Sequence, residues 1–304
     1  MQKVFLTGAS SFLGRSLGER LLDTGYDLHV LARDSTDLAR LPSGLRSENL
    51  HIYDGSTGSM VSALNSSRPD LIFHLASLYL RDTSVDTVEP LVRSNLLVGI
   101  QLMEAIRHAQ IVASIVNFGT YTQYYQRQGE IEPLNVYAAL KNAFADILDL
   151  YAEEFGLRHL HLILYDSYGA GDWREKLLPA LKQGFKSETA LRLSDPNLVI
   201  DLTHIDDVVS AAVLAGEVLG TDAPSHLSKC VYSISGDRLS LSELVTKVEE
   251  ITGCTLSVEW HAYPLPNKRI NVPWLGSRLP NWKPAISLEE GLKSYLVDDV
   301  LRNH

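Results

Sequence analysis

A glycine-rich turn near the start of the chain constrains the fold more than any other feature. Val4–Thr7 is typical of a buried β-strand, and an amphipathic segment follows the turn. The first glycine permits a tight turn, and the last lets a helix pack closely on the strand with its free N–H groups facing an anionic ligand. Ser11 stands where a glycine is commoner, and a small side chain still fits there. The predicted pyrophosphate contacts are Gly8, Ser10, Ser11, Phe12, Leu13 and Gly14.

Short β-like runs alternate with helical segments through the first two thirds of the chain. Such alternation predicts a parallel sheet with helices on both faces, and right-handed crossovers make it a doubly wound Rossmann α/β fold. The predicted strands are Val4–Thr7, Asp27–Ala32, His51–Asp54, Asp70–Ala76, Ile111–Phe118 and His159–Tyr165. The predicted helices are Leu13–Thr24, Pro90–His108 and Tyr137–Phe155.

The pattern changes after about Tyr168. Helices are predicted at Lys176–Gln183, Asp206–Leu219 and Leu241–Thr252, and widely separated strands at Val231–Ser235 and Leu256–Trp260. We therefore predict a dinucleotide-binding domain over residues 1–167, with later returns to the sheet. A smaller α/β lobe over residues 168–304 is predicted to bind mainly the substrate.

Charge and composition narrow the classes of partner and compartment. The formal net charge of −10 argues against a nucleic acid as the main partner but leaves room for a local basic pocket. The apolar stretches fall short of the roughly 20 residues that a membrane helix needs, so no membrane association is expected. Two cysteines, Cys230 and Cys254, favour a reducing, cytoplasmic location over a disulfide framework. No metal site is expected in the chain, because His74 and His204 lack ligand spacing with a cysteine or a second histidine.

The end of the second strand indicates which dinucleotide is bound. An acidic residue there would accept hydrogen bonds from the ribose hydroxyls of NAD, whereas Arg33 offers a planar cation to the 2′-phosphate of NADP(H). Arg15 and Arg40 are candidates to assist it. Because Asp34 follows directly, NAD(H) remains the alternative, and a solvated Arg33 is the other reading. The ends of the third and fourth strands add the predicted cofactor contacts Asp54, Gly55, Leu75, Ala76 and Ser77.

Tyr137 and Lys141 stand four positions apart at the start of a strongly helical segment, so both side chains share one face. A free tyrosine, with a pKa of about 10, is a poor base, and a neighbouring ammonium is predicted to lower that pKa. A surface pair is the alternative for these two residues alone. Thr120 lies just past the strand Ile111–Phe118, where this architecture places ligands, and completes a predicted catalytic group for hydride and proton transfer.

These motifs together resemble an extended short-chain dehydrogenase/reductase of the nucleotide-sugar epimerase/dehydratase family, over nearly the whole chain. The motifs that carry the resemblance are Thr7–Gly14, Asp54, His74–Ser77, Asn95, Thr120, Tyr137 with Lys141, Tyr168-Gly169, Asp206-Asp207 and the segment from Trp282 to Gly291. The resemblance implies that Asn95 and Tyr168 also contact the cofactor. It further implies that the C-terminal lobe binds a sugar nucleotide and that the chain forms a homodimer through paired long helices.

Two positions depart from the family pattern on the substrate side. Asp166 stands where members usually carry Asn, and Ile200 where many carry Arg. Lys176, Arg192 and Arg269 are candidate replacements for the diphosphate contact, with surface charge as the alternative for each. Tyr79, Tyr121 and Asp166 complete the predicted substrate pocket.

The residues after Thr120 bear on the reaction. Family dehydratases carry an Asp-Glu pair there as acid and base, and this chain has Tyr121-Thr122, so dehydration is not expected. Arg33 favours turnover of NADPH and hence reduction of a 4-keto sugar, with NAD-dependent 4-epimerisation as the alternative. The segments Asn117–Gln123 and Asn135–Tyr137 resemble CDP-abequose/CDP-paratose synthase-like reductases of O-antigen pathways. A non-catalytic dinucleotide-binding protein stays open as a third interpretation.

Overall fold

The computed structural model describes residues 2–80, 83–125, 130–185, 187, 189–220, 230–263 and 268–300. Its strands are β1 (Lys3–Thr7), β2 (Asp27–Arg33), β3 (Leu50–Tyr53), β4 (Leu71–His74), β5 (Ser114–Thr120), β6 (His159–Leu164), β7 (Asp166–Tyr168), β8 (Leu191–Arg192), β9 (Val199–His204), β10 (Cys230–Ile234), β11 (Asp237–Ser240) and β12 (Val258–Glu259). Its α-helices are α1 (Phe12–Asp23), α2 (Thr57–Ser67), α3 (Val85–Val92), α4 (Val98–Ala109), α5 (Val136–Phe155), α6 (Leu177–Gly184), α7 (Ile205–Gly220), α8 (Leu241–Thr252) and α9 (Leu288–Val300).

Seven parallel strands form the central sheet in the order β10-β6-β5-β4-β1-β2-β3. After β1 the chain adds β2 and β3 on one side of that strand. It then crosses back to add β4 on the other side, so the strand order reverses between β1 and β4. Ligands of doubly wound sheets bind at this reversal, beyond the carboxyl ends of the strands. The predicted Rossmann α/β fold is confirmed.

Helices cover both faces of this sheet and bury its alternating apolar side chains. On one face α1 and α7 pack together over a core that includes Val4, Leu6 and Leu162. On the other face α2, α4 and α5 enclose a second core that includes Phe5 and Ile115. Because α7 and β10 belong to this layer, the sheet takes elements from well beyond residue 167. None of the described helices is long and apolar enough to span a membrane.

The later elements build a second, smaller core. The strands β7, β9 and β11 form a three-stranded sheet, and β8 pairs with β12. Side chains from α6, α8 and α9 pack against this sheet. The second core therefore begins where β7 follows β6, directly beside the carboxyl edge of the main sheet.

Several elements differ from the predicted ones. The predicted helix Pro90–His108 begins earlier, at Val85, because Ser84 and Thr87 form a capping box. It is also interrupted by a π-helical segment over Arg93–Leu97. The predicted strand Leu256–Trp260 shrinks to the two residues of β12. The sequence did not predict the helices α2 and α9 or the strands β7, β8, β9 and β11.

Candidate active site

The turn between β1 and α1 needs glycine at two positions. Gly8 has a φ of +74°, and a Cβ atom there would lie 2.6 Å from the carbonyl carbon of Leu75 at the end of β4. A Cβ on Gly14 would lie 2.2 Å from the carbonyl oxygen of Gly8. The turn therefore brings β1, β4 and the start of α1 closer together than any side chain would allow.

Ser11 caps α1 at the position where a glycine is commoner. Its φ of −76° suits an L-residue, and its Oγ accepts a hydrogen bond of 3.0 Å from the N–H of Gly14. The N–H groups of Phe12 and Leu13 belong to the first turn, where a helix provides no acceptors of its own. The start of α1 thus has donors directed at the strand reversal, as an anion site requires.

A cleft of about 1020 Å³ opens at the carboxyl ends of the strands β1 to β4. This size suits an extended nucleotide ligand. The predicted residues that line it are Gly8, Ser10, Ser11, Phe12, Arg33, Asp54, Gly55, Leu75, Ala76, Ser77 and Tyr79. With the close approach at Gly8 and the capped start of α1, the residues present fit a dinucleotide.

The cleft has a basic corner in an otherwise acidic protein. Arg33 is exposed at the end of β2, its backbone N–H is 3.0 Å from the Thr36 hydroxyl, and it forms no ion pair with any described residue. Arg40 also lines the cleft and pairs with Asp37 at 3.7 Å, and Arg15 pairs with Glu19 at 3.1 Å on α1. A guanidinium with no carboxylate partner beside two hydroxyl-bearing residues, Ser35 and Thr36, can accept a phosphate group.

Asp54 and Gly55 form the turn after β3. The Asp54 carboxylate accepts a hydrogen bond of 2.8 Å from the backbone of Ser56, and hydrogen bonds from Ser56 and Ser59 lower its pKa to about 2. Gly55 has a φ of +97°, and its carbonyl accepts a hydrogen bond of 3.0 Å from Gln101. Asp54 is therefore ionised at neutral pH at the far wall of the cleft.

Asn95 holds the segment after β4 from its place in the π-helical segment. Its side-chain oxygen accepts hydrogen bonds from the Ser77 hydroxyl at 2.9 Å and the Leu78 N–H at 3.1 Å. Its amide nitrogen donates to the carbonyls of Leu78 and Leu91, both at 2.9 Å. All four contacts are to protein atoms, so Asn95 shapes the cleft wall through residues 77–78. Its predicted direct contact with a cofactor stays a prediction.

Tyr137 lies at the start of α5 with its hydroxyl 3.4 Å from the Ser77 hydroxyl and its ring edge-on to Tyr79 at 5.2 Å. Burial raises the pKa of Tyr137, and the contact with Ser77 opposes that shift. The direction is opposite to the predicted lowering by Lys141, because burial disfavours the phenolate and Lys141 is not among the groups that shift this pKa. Tyr137 is therefore protonated at neutral pH.

Lys141 is buried one turn further along α5, next to His74. Burial lowers the pKa of Lys141 to about 8, and burial together with the Lys141 charge lowers the pKa of His74 to about 3. His74 is held by a contact of 3.0 Å to the Thr7 hydroxyl. Within the described residues no hydrogen bond joins Lys141 to Tyr137 or Tyr137 to Thr120.

Thr120 ends β5 and caps a short 3₁₀ turn over Tyr121–Gln123. Its hydroxyl lies 3.0 Å from that of Thr122, and its N–H donates to the Gln123 side chain at 2.8 Å. The positions that follow Thr120 thus hold a hydroxyl network in place of carboxylates.

Two of the predicted substrate residues meet each other beside this turn. Asp166 and Lys176 form an ion pair of 3.2 Å. The ring of Tyr121 stacks on Tyr165 at 5.4 Å, and the charge of Asp166 together with burial raises the pKa of Tyr121. Asp166, Lys176 and Tyr121 therefore form one polar group past the end of β6.

The other predicted residues make contacts elsewhere. Arg192 pairs with Glu259 at 3.5 Å, and Arg269 with Asp195 at 3.8 Å. The ring of Tyr168 is 2% exposed and packs in the second core, so its side chain contributes to packing. No described contact links these three side chains to the cleft.

Trp173 and Arg174 were missed by the sequence analysis although they line the cleft. The ring of Trp173 meets Phe12 edge-on at 5.9 Å, and the Arg40 guanidinium lies 5.3 Å from it. Arg174 lies 4.5 Å from the Phe12 ring and pairs with Asp172 at 2.7 Å. These residues reach α1 from about 160 positions away, and no local pattern signals such an approach.

Comparison with known proteins places the chain in a family. Residues 4–227 match the NAD dependent epimerase/dehydratase family. A CDP-abequose synthase of Yersinia pseudotuberculosis is 23% identical over 84% of this chain and 87% of its own length. A UDP-glucose 4-epimerase of Mycolicibacterium smegmatis is 26% identical over 95% of this chain and 96% of its own length.

A solved structure of similar fold spans the whole chain. The UDP-glucuronic acid 4-epimerase of Bacillus cereus, in complex with UDP-glucuronic acid and NAD, superimposes with a TM-score of 0.83 at 21% identity over 100% of both chains. The resemblance predicted from the motifs is thereby confirmed. The chain belongs to the NAD dependent epimerase/dehydratase family, whose members are NAD-dependent enzymes.

Proposed function

We propose that this enzyme uses NADPH to reduce the C4 carbonyl of a nucleotide-linked 4-keto-(di)deoxy sugar. The observation that carries the proposal is Arg33, which stands at the carboxyl end of β2 with no carboxylate partner among the described residues. A 2′-phosphate placed there would gain a charge-assisted hydrogen bond. NADPH is the cofactor that a reductase consumes, whereas a 4-epimerase recycles bound NAD.

The protonation state of Tyr137 suits this direction. Bound NADPH would supply the hydride that reduces the C4 carbon. Tyr137, which burial keeps protonated, donates its phenolic proton to the C4 oxygen as negative charge develops there. The Lys141 ammonium then stabilises the phenolate. Thr120 hydrogen-bonds the same oxygen and orients the carbonyl.

The turn after Thr120 argues against water elimination. A dehydratase needs an acid and a base beside the sugar, and Tyr121 and Thr122 offer only hydroxyl groups. Tyr121 stacks on Tyr165 and so presents a fixed edge to a sugar ring. Lys176 beside Asp166 is the candidate cation for the diphosphate, which would assign substrate binding to residues that follow β6.

A relative of known activity supports the same reaction class. The Yersinia pseudotuberculosis relative is named a CDP-abequose synthase, and the motifs around Thr120 and Tyr137 resemble that group of reductases. The second candidate function is NAD-dependent 4-epimerisation, which is favoured by the Mycolicibacterium smegmatis and Bacillus cereus relatives. Both functions use the same tyrosine and lysine.

NADPH consumption separates the two functions. The enzyme is mixed with NADPH and, in turn, with CDP-, GDP-, dTDP- and UDP-linked 4-keto-6-deoxy sugars, and absorbance at the NADPH band is followed. We expect stoichiometric oxidation with one of them. The Tyr137→Phe variant should lose roughly 10²–10⁴-fold in kcat while binding NADPH normally. Interconversion of UDP-hexoses without net NADPH loss would establish the epimerase instead.

A second proposal concerns assembly. By family analogy we propose a homodimer in which α4 and α5 pair with their equivalents in a four-helix bundle. Leu150 on α5 is 62% exposed, and Phe155 at its end is 40% exposed. Large apolar side chains at these levels of exposure suit an interface.

A further inference from the structure

A cluster of metal-ligating side chains lies away from the cleft, between β6 and α5. His159 and His161 alternate along β6 and therefore point to the same face of the sheet. Asp149 faces them from α5, three turns after Tyr137 at the start of that helix. The prediction of no metal site rested on the spacing of His74 and His204 and did not weigh this His-x-His pair, whose third partner Asp149 lies ten residues before His159.

The three side chains converge on one point. The Asp149 Oδ1 atom lies 2.5 Å from Nε2 of His159 and 3.2 Å from Nε2 of His161, and the three ligand atoms lie within 4.8 Å of one another. His159 is fully buried and the His161 side chain is 6% exposed, whereas that of Asp149 is 36% exposed. The cluster is therefore closed by protein on the imidazole side and open to solvent on the carboxylate side.

We propose that Asp149, His159 and His161 bind a divalent transition-metal ion of the zinc class, with solvent as the fourth ligand. Two ligand atoms of a tetrahedral zinc centre with bonds of about 2.1 Å stand about 3.4 Å apart. The distance from Asp149 Oδ1 to Nε2 of His161 already matches this spacing. The distance from Asp149 Oδ1 to Nε2 of His159 needs to change by less than 1 Å. Two imidazoles with one carboxylate suit zinc, cobalt and nickel better than calcium or magnesium.

Asn117 supplies the outer contact that a zinc-bound histidine normally has. One side-chain amide atom of Asn117 lies 3.0 Å from Nδ1 of His161, and its assigned oxygen is buried with no partner. When the metal occupies Nε2, Nδ1 carries the proton and needs an acceptor. Rotating the Asn117 amide by half a turn, an assignment that heavy-atom positions leave open, brings its oxygen to that proton.

The test measures metal binding directly. Protein treated with EDTA and then dialysed is titrated with Zn²⁺ by calorimetry and with Co²⁺ by visible spectroscopy. We expect one ion per chain, d–d bands of four-coordinate Co²⁺ and a rise in Tm with Zn²⁺. His161→Gln and Asp149→Asn should remove the bands and the tight site. Asn117→Ala should weaken Zn²⁺ binding roughly 10–100-fold.

A second histidine pair provides the matched control. His29 and His51 stack with their ring nitrogens 3.0 Å apart beside Asp27, but these nitrogens contact each other and do not surround a common point. His51→Gln should therefore leave binding unchanged. Absence of one-to-one binding in the wild type, or its survival in folded His161→Gln, would overturn the proposal and leave Asp149 as a hydrogen-bond acceptor only.

Discussion

At the scale of one residue, Arg33 is the side chain proposed to favour NADPH over NADH. Its guanidinium is exposed at the carboxyl end of β2, and Arg40 lies across the same corner of the cleft. We expect Arg33→Asp to weaken NADPH binding roughly 10–100-fold, since a charge-assisted hydrogen bond is lost and a repulsive charge is added. NADH binding should change less than about threefold.

Fluorescence titration of both cofactors measures this difference. Arg20→Asp, the same charge change at an exposed position on α1, is the matched control and should alter neither affinity. Equal losses for NADPH and NADH in Arg33→Asp would contradict a 2′-phosphate contact.

Lys141 illustrates a residue kept for chemistry at the expense of stability. It is 5% exposed, and burial lowers its pKa to about 8. Below about pH 8 the folded chain holds a desolvated charge, which lowers its free energy of unfolding. This loss of stability disappears as the pH approaches the pKa of lysine in the unfolded chain, near 10.5. Lys141→Met should abolish turnover yet raise the Tm of the cofactor-free protein by about 2 °C or more at pH 7.

The pH dependence of Tm tests whether the charge of Lys141 destabilises the folded chain. The Tm advantage of Lys141→Met over the wild type should shrink between about pH 8 and pH 10.5, as measured by differential scanning calorimetry. Lys293→Met, which removes a surface ion pair with Glu289, should bring no gain. A lower Tm for Lys141→Met at pH 7 would mean that the ammonium stabilises the fold.

At the scale of elements, the π-helical segment between α3 and α4 directs Asn95 toward residues 77–78, which follow β4 and line the cleft. π-Segments recur at functional sites, and this one directs a four-fold hydrogen-bonded amide at residues 77–78. Asn95→Leu should weaken NADPH binding roughly tenfold, because Ser77 and Leu78 would lose their fixed position.

A second buried asparagine provides a control that distinguishes loss of the cleft wall from a general loss of stability. Asn49 hydrogen-bonds Asp27 and the Leu28 carbonyl on the far side of the sheet. Asn49→Leu should lower the Tm by a similar amount and leave NADPH affinity unchanged. Matched affinity losses in the two variants, measured by titration, would show that Asn95 acts only through overall stability.

The proposed dimer is tested on the whole molecule. Light scattering after size exclusion should give twice the chain mass of 33.7 kDa. Leu150→Glu should shift the protein to the single-chain mass, because a charge would be buried at the interface. Val112→Glu, at an even more exposed apolar position outside α4 and α5, is the control and should remain dimeric. A monomeric wild type would contradict the proposal.

Local sequence patterns were sufficient to predict most of the fold. The spacing of Gly8 and Gly14 predicted the turn because only glycine tolerates the approach to Leu75. The alternating runs predicted the parallel sheet. The start of α3 was misplaced because Pro90 suggested a helix N-terminus, whereas the capping box at Ser84 begins it five residues earlier.

The parts of the site that could not be predicted depend on distant contacts. Trp173 meets Phe12 only after the chain has passed through β7, and no periodicity indicates this. The pKa of Tyr137 depends on how deeply its ring is buried, which its spacing from Lys141 does not encode. The cluster of Asp149 with His159 was likewise hidden, because a helix and a strand provide its two parts.

The position of β10 has a consequence for the order of biosynthesis. This strand completes the sheet beside β6, and α7 covers the face beneath it, yet both are translated after the first strands of the second core. A chain of only the first 167 residues therefore has an open sheet edge at β6 and a face on which α1 lacks its neighbour α7. We expect the two parts of the chain to complete their folding together, once the residues up to Ile234 have been made.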